Sequence, residues 1–421
     1  MDELSLLSVE EPATPVYDPT DPRVALDPWP LYAELRREAP IHRSPRGFWV
    51  LARHADCLAL LRDRRASSDG NKVARELAPQ GFAEARRRRG AIGEAQNDNR
   101  PFLFRDPPDH TRLRSLVAKA FTPRMVESLR PRVEATVERL LDTALERGSI
   151  DVVEDLAYPL PVEIICEMLG IPSEDHQRFS QWSAALARGL DPDFLLSDDV
   201  VSAREQALVA FAQYFFTILA ERRRSPGEDL LSQLVAAEER GDSLTEGELL
   251  STAILLLVAG HETTVNLISG GILALVQHPD QLEILRTRPP LIKPGVEEML
   301  RWVSPVQFTG RCFLDDVEIQ GHEMRTGEFV LALLASANRD PAAFESPERF
   351  DVTRTDNHHL GFGFGIHHCL GAPLARLEAE VAVSRLIARA QGIELTGDPI
   401  RYRENLVLRG VVELPVNLTA A

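Results

Sequence analysis

From residue 109 to about 290 the apolar positions recur every three or four residues, the spacing that lays one stripe along an α-helix. HTRLRSLVAKAF, MVESLRPRVEATVERLLDTALE, VEIICEMLG and VSAREQALVAFAQYFFTILAERRR follow it in turn. The run LLSTAILLLVAG (residues 249–260) is apolar on nearly every side and predicts a buried core helix, because it is far short of the ~20 residues that span a bilayer. Upstream, DPWPLYAELRREAP predicts a proline-initiated amphipathic helix and RGFWVLAR a short strand. Residues 68–105 carry no clear period and read as a long loop, and long loops inside compact domains are usually functional. Around 306–334 the pattern shortens to β segments, VEIQG and EFVLALL, punctuated by Gly and Asp. Helix returns after residue 369 with APLARLEAEVAVSRLIARA. No linker, repeat or low-complexity tract divides the chain. The expectation is one mainly α domain with a small β region over 21–421, preceded by a loosely ordered, Pro- and acid-rich segment 1–20.

Composition narrows the class. With 44% apolar and 26% charged residues the chain has the balance of an ordinary soluble globular protein. Its 47 basic against 64 acidic residues give a formal charge of −17, which disfavours nucleic acid and anionic membranes as partners. MDELSLLSVEEP begins acidic and predicts no signal peptide. Cys57, Cys166, Cys312 and Cys369 are scattered without paired spacing, which points to a cytoplasmic location and away from a disulfide framework.

The candidate chemistry centres on GFGFGIHHCLG, residues 361–371, where Cys369 follows two histidines among four glycines. Zinc, a reactive thiol and the axial ligand of a haem compete here. Structural zinc needs four ligands and no CxxC or HxxxH pair accompanies the cysteine; the absence of CxxCH excludes covalent haem attachment. A helix starting just after Cys369 would favour the thiolate through its free N–H groups. Gly363, Gly365 and Gly371 would let the backbone turn tightly and press against a flat ligand. Phe362 can shield the sulfur, and His367 can reach a carboxylate at the ligand's edge. The bland alternative is a buried cysteine in a glycine-rich turn.

Three further segments stand out. AGHETT (259–264) buries His, Glu and two Thr in the apolar helix, where they are costly unless used, or unless the hydroxyls bond back to carbonyls four residues earlier. EEMLR pairs Glu298 with Arg301 on one helix face, a spacing shared by several other Glu/Arg pairs of the chain. DPPDHTRLR puts His110 and Arg114 four apart on one face, which could equally be an exposed basic helix.

Phe362-Gly363-Phe364-Gly365-Ile366-His367-His368-Cys369-Leu370-Gly371 resembles the cysteine loop of the cytochrome P-450 family, F-G-x-G-x-H-x-C-x-G, at every fixed position. The other three segments occur in the family's order, and the resemblance runs from DPWPLYAELR to the last β segment. It implies the cytochrome P-450 fold, a triangular single domain enclosing haem b with Cys369 as the metal ligand. It further implies that His110, Arg114, Arg311 and His367 hold the haem propionates, and that Glu298 and Arg301, joined by Arg349, fix the cysteine loop. Glu262 and Thr263 match the family's catalytic acid–Thr proton relay, with Ala259 and Gly260 where the central helix opens for O2.

By the same mapping Leu255, Val258, Ala259, Val306, Phe308 and Leu406 would line a pocket for a largely apolar substrate such as a macrolide, steroid, terpene or fatty acid. The implied reaction is monooxygenation: one atom of O2 enters a C–H bond by hydroxylation or epoxidation. Electrons would come from an acidic ferredoxin-like protein and its reductase. Residues 105–132 offer that donor seven basic residues, Arg105, Arg112, Arg114, Lys119, Arg124, Arg130 and Arg132, against Asp106, Asp109 and Glu127. A monomer is expected. Arg86 to Arg89 could hold an anionic group, although a solvated charge run accounts for them as well. A peroxide-driven peroxygenase and a non-enzymatic haem-thiolate sensor are the competing readings. The acid–Thr pair speaks against the first, and the lack of an appended signalling domain against the second.

Overall fold

The computed structural model describes residues 14–82, 100–119, 121–191, 196–239 and 244–420. Its organising element is a 32-residue central helix, Glu246–Gln277. A reciprocal capping box starts it: the Thr245 hydroxyl accepts the Glu248 N–H, and the Glu248 carboxylate accepts the Thr245 N–H. Among the described helices it alone is long and apolar enough to cross a membrane, but 67% of its most apolar window is buried inside the protein. It is the core helix that its all-round apolar pattern predicts.

The helices packed most extensively on it are Pro159–Leu169, Ile292–Val303 and Ala372–Arg389. Gly270 and Gly271 make the second of these crossings close. A Cβ there would stand 2.7 Å from Val303 Cγ1 and 2.8 Å from Met299 Sδ, so only glycine lets the Glu298/Arg301 helix lie this near. The helix expected over MVESLRPRVEATVERLLDTALE is two, Pro123–Ser128 and Arg130–Arg147, because Pro131 has no N–H to continue a helical ladder and is tolerated in a first turn.

The β region is three small sheets. Strands β1 (Ile41–Arg43), β2 (Trp49–Leu51), β3 (Ala66–Ser67), β5 (Thr309–Phe313) and β8 (Phe329–Ala332) form one in the order β1-β2-β8-β5-β3, antiparallel except for β2 and β8. Strands β4 (Ser149–Asp151), β9 (Ala390–Leu395) and β10 (Pro415–Ala420) form another in the order β4-β10-β9. The third is the hairpin of β6 (Val317–Ile319) and β7 (His322–Met324), whose two turn residues, Gln320 and Gly321, both have positive φ, as a tight hairpin turn requires.

Two expectations change. Residues 14–20 are not loose: Tyr17 is fully buried against Tyr32 and Phe308, and its N–H donates to His42 Nε2 at 2.9 Å. An aromatic side chain with a core to enter overrides the Pro-rich composition around it. The long loop expected over 68–105 holds short 3-10 turns at Gly70–Lys72 and Phe102–Phe104; its stretch 83–99, with Arg86 to Arg89, lies outside the described residues.

Candidate functional site

The cysteine loop is an anion cradle. The Cys369 N–H donates to Phe362 O at 2.9 Å, closing the loop, and the helix Ala372–Arg389 starts three residues later. Burial pushes the Cys369 thiol up, while the Gly371 N–H, Arg114 and the Ala372 N–H act the other way on the sulfur. Cys369 keeps accessible surface, unlike the buried Cys57, Cys166 and Cys312. Gly363 (φ 65°) and Gly365 (φ 72°) need glycine's left-handed freedom, and a Cβ at 365 would collide with Leu61 O. Gly371 is different from what its motif place suggests. Its φ is −80°, which any residue adopts, and a Cβ there would enter open space, so the turn at 370–371 does not itself require glycine. Phe362 lies under the Arg376 guanidinium at 4.6 Å.

Donors without acceptors gather beside the loop. The His110 and His367 rings are 4.3 Å apart, and among the described residues both nitrogens of buried His110 lack a partner, as does His367 Nδ1. His367 Nε2 stands 3.0 Å from Ser68 Oγ. Burial, then Arg311, His110 and Arg114, lower the His367 pKa to about 3. Arg311 is 8% exposed, bonds among the described residues only to Thr309 Oγ1 and Gly310 O, and has its pKa lowered to about 10 by burial. Arg114 donates to His368 O at 2.5 Å. No carboxylate among the described residues pairs with Arg114 or Arg311. Two buried or half-buried guanidiniums and two imidazoles without a counter-anion fit a ligand carrying carboxylates, as haem b does.

The EEMLR pair is more than a surface pair. Glu298 and Arg301 are both fully buried and joined twice at 2.7 Å. Arg301 also donates to the carbonyls of Asn338, Pro347 and Arg349. The Arg349 side chain does not join them: it is 67% exposed and reaches only Asp351 at 4.0 Å. Arg354 takes that place, its Nε 3.1 Å from Glu298 Oε2, with the Asp351 N–H and Asn357 Nδ2 on the same carboxylate. Asn338 carries the network onward, accepting the Leu360 N–H at 2.7 Å immediately ahead of the cysteine loop. Glu297 adds a second tether, bonded to Arg376 at 2.6 Å and to His359 at 3.0 Å. Arg354, Asn338, Glu297, His359 and Arg376 escaped the sequence reading because each meets its partner across dozens of residues, with no local spacing to announce it.

On the central helix, Leu255, Ala259 and Thr263 keep accessible surface at i, i+4 and i+8, one face of an otherwise buried element. The helix is unbroken at Ala259 and Gly260. Thr263 Oγ1 donates to Ala259 O at 3.1 Å and Thr264 Oγ1 to Gly260 O at 3.4 Å, so the hydroxyls satisfy themselves along the helix. Gly260 serves packing, since a Cβ there would stand 3.2 Å from Ile165. Glu262, 3% exposed, turns away from the Thr263 hydroxyl. It pairs with Arg403 at 2.9 Å and lies 3.7 Å from His261 Nε2. Burial would raise its pKa, but His261 and Arg403 hold it below the ordinary carboxylate value. A cleft of about 490 Å³ reaches this carboxylate, bordered by Tyr158, Ala187, Arg188, Asn266, Arg403 and Leu408.

The expected pocket residues separate. Leu255, Ala259, Val306 and Leu406 remain accessible to differing degrees. Val258 is 8% exposed and packs in the main core, because it is not in register with the 255/259/263 face. Phe308 is 4% exposed and belongs to the N-terminal core, where Tyr17 meets it edge-on. The basic island is also largely spoken for: Arg112 and Arg105 hold buried Glu248, Arg130 pairs with Glu127, and Arg132 with Glu167. Lys119 and Arg124 are exposed.

With this geometry, comparison with known proteins is specific. The cytochrome P450 family model matches residues 70–409. The chain is 40% identical to the polyketide biosynthesis cytochrome P450 PksS of Bacillus subtilis (strain 168), covering 93% of this chain and 96% of that one. It is 43% identical to the cytochrome P450 monooxygenase PikC of Streptomyces venezuelae, covering 93% and 91%. Among solved structures, P450BioI in complex with an acyl carrier protein ligated to hexadec-9Z-enoic acid superposes with a TM-score of 0.85 at 38% identity, covering 93% and 98%. Family model, relatives and fold agree, and the chain belongs to the cytochrome P450 family as a haem b-binding monooxygenase.

Proposed function

We propose that the protein hydroxylates or epoxidises a largely apolar small molecule of the polyketide class, as a monomer in the cytoplasm, with electrons from an acidic ferredoxin-like protein and its reductase. The observation that carries this reading is the accessible apolar face of the central helix, Leu255 and Ala259, leading to a hydroxyl at Thr263. The naming of PksS for polyketide biosynthesis supports the substrate class.

Haem b, when bound, supplies the oxygen-activating chemistry, and a thiolate ligand favours O–O cleavage. The chain's share follows from its own groups. Cys369 would be the metal's ligand, and the Gly371 and Ala372 N–H groups and Arg114 would stabilise its thiolate there. His110, Arg114, Arg311 and His367 would hold the two cofactor carboxylates by charge-assisted hydrogen bonds. Leu255 and Ala259 orient an apolar substrate and exclude water. Glu262, after releasing Arg403, would take up a solvent proton at the cleft and return it through water to the Thr263 hydroxyl. That hydroxyl gives up its own proton towards the reacting side once it leaves Ala259 O, so that one proton enters for each one delivered. Lys119 and Arg124 remain to steer the electron donor.

The test is spectroscopic. Reduced protein under carbon monoxide should absorb near 450 nm, and Cys369→Ser should lose that band because an alcohol is a poor soft-metal ligand. A band retained by Cys369→Ser and lost in Cys312→Ser would overturn the ligand assignment. Product formation that needs NAD(P)H and electron-transfer proteins separates this reading from a peroxide-driven enzyme and from a sensor.

A further inference from the structure

The turn carrying Leu406 is fastened on two sides by different means. Towards the sheet, the fastening is backbone to backbone. Gln307 N donates to Val407 O at 2.8 Å, Arg409 N donates to Pro305 O at 3.0 Å, and Val306 bridges Leu408. Towards the helix His176–Arg188, it rests mainly on one carboxylate. Asp191, with a side chain 1% exposed, accepts the Leu406 N–H on both oxygens at 2.9 and 3.0 Å. It accepts the Val407 N–H at 2.9 Å and Arg188 Nη1 at 2.7 Å. Asn405 Nδ2 adds one bond to Ala187 O at 3.1 Å. The mouth of the cleft that reaches Glu262 runs along this seam, between Ala187 and Arg188 on one side and Glu404 and Asn405 on the other.

A buried carboxylate is an expensive way to join two segments that apolar contact could join. Burial pushes the Asp191 carboxyl up, and the Val407 and Leu406 N–H groups with Arg188 oppose that shift. What the carboxylate offers in return is release in one step. The sheet-side bonds belong to a ladder that must break bond by bond, whereas one side-chain rotation at Asp191 frees both turn amides together.

We propose that Asp191 is the latch of the substrate chamber, a positioning residue that holds the Leu406–Val407 turn to the end of the 176–188 helix and lets the two part to admit ligand. This rests on the expectation above that Leu406 lines the substrate pocket. The latch sets the rate of opening more than the fit of what is inside, so it governs entry and exit together.

The experiment uses haem-loaded protein and 4-phenylimidazole, a nitrogen ligand whose binding shifts the Soret band in stopped flow. Asp191→Ala should raise the association and dissociation rates by on the order of tenfold each, with Kd moving by less than about threefold. Asp191→Asn, which keeps one acceptor oxygen for the two amides, should raise both rates by less. The 450 nm band and the rebinding of carbon monoxide, small enough to pass a closed seam, should stay as in the unaltered chain. Unchanged rates in variants that keep the band, or a rise in dissociation alone, would sink the latch and leave the haem-thiolate reading intact. An unaltered chain without the band would sink that reading instead.

Should both variants lose haem, hydrogen exchange on the unaltered holoprotein decides. The Leu406 and Val407 amides should exchange about tenfold or more faster than those of Gln307 and Arg409, and 4-phenylimidazole should slow them. Equal exchange on both sides of the turn refutes the proposal.

Discussion

Two buried carboxylates, one on each side of the active region, are held by arginine in opposite ways. On the cysteine side, Glu298 receives donors from Arg301, Arg354, Asp351 and Asn357 and has no accessible surface. On the far side, Glu262 has one short partner, Arg403, a longer contact with His261, and a cleft beside it. Both charges are paid for with an arginine, but only one is over-determined. A carboxylate with every lone pair occupied cannot change partners without leaving several donors unsatisfied, which suits a fixed scaffold. One with a single strong partner and water at hand can let go, which suits a proton carrier.

The largest expected effect breaks the first half of that contrast. Glu298→Ala or Arg301→Ala should cost about 3–5 kcal/mol of stability, because each leaves an uncompensated buried charge. Arg354→Ala, which removes one charge-assisted bond, should cost about 1.5–3 kcal/mol. Arg349→Ala should stay within about 0.5 kcal/mol, as an exposed side chain does. Urea unfolding of these four variants gives the order directly; an Arg349 variant as damaged as the Arg354 one would reverse the assignment.

Next in size is the second half. Glu262→Gln should slow turnover by on the order of 10²-fold while leaving 4-phenylimidazole affinity alone, since it removes a proton carrier and no ligand contact. Thr263→Ala should keep haem and divert reducing equivalents into peroxide. Coupling of NADH use to product that survives in Thr263→Ala would remove that hydroxyl from the mechanism.

A smaller effect concerns the outer tether. Burial would raise the Glu297 pKa, but Arg376 and His359 lower it to about 2. A depressed carboxyl contributes its stability above its ordinary pKa of 4.5 and loses it as pH falls from there to about 2. Glu297 is 28% exposed, so after solvent screening that contribution is about 1–2 kcal/mol. Glu297→Gln should flatten the acid limb of the stability profile by that amount; an unchanged limb would place the acid sensitivity elsewhere.

The smallest effect sharpens the electron-donor reading. Lys119→Glu with Arg124→Glu should slow first electron transfer a few-fold at low salt without altering ligand affinity. Arg112 is unsuitable for that test, because its guanidinium holds Glu248 at the cap of the central helix and reversal would disturb the helix start. Reduction that is flat with ionic strength and equal in the double variant would move the docking site.

The sequence by itself determined what is written at short range. Helical periodicity, the Thr245–Glu248 capping box and the glycines at 363 and 365 are local instructions, read by backbone geometry within a few residues. The cysteine loop is legible for the same reason: its chemistry is carried by ten consecutive positions, from Phe362 to Gly371. Tertiary structure alone decided which distant groups meet. Arg354 rather than Arg349 completes the Glu298 cluster, Arg403 rather than Thr263 faces Glu262, and Phe308 turns to Tyr17 instead of to a pocket. Asp191 meets Leu406 across more than two hundred residues. A charge's partner is chosen by whichever donor packing brings within hydrogen-bond reach at burial, and that choice leaves no period or spacing in the chain.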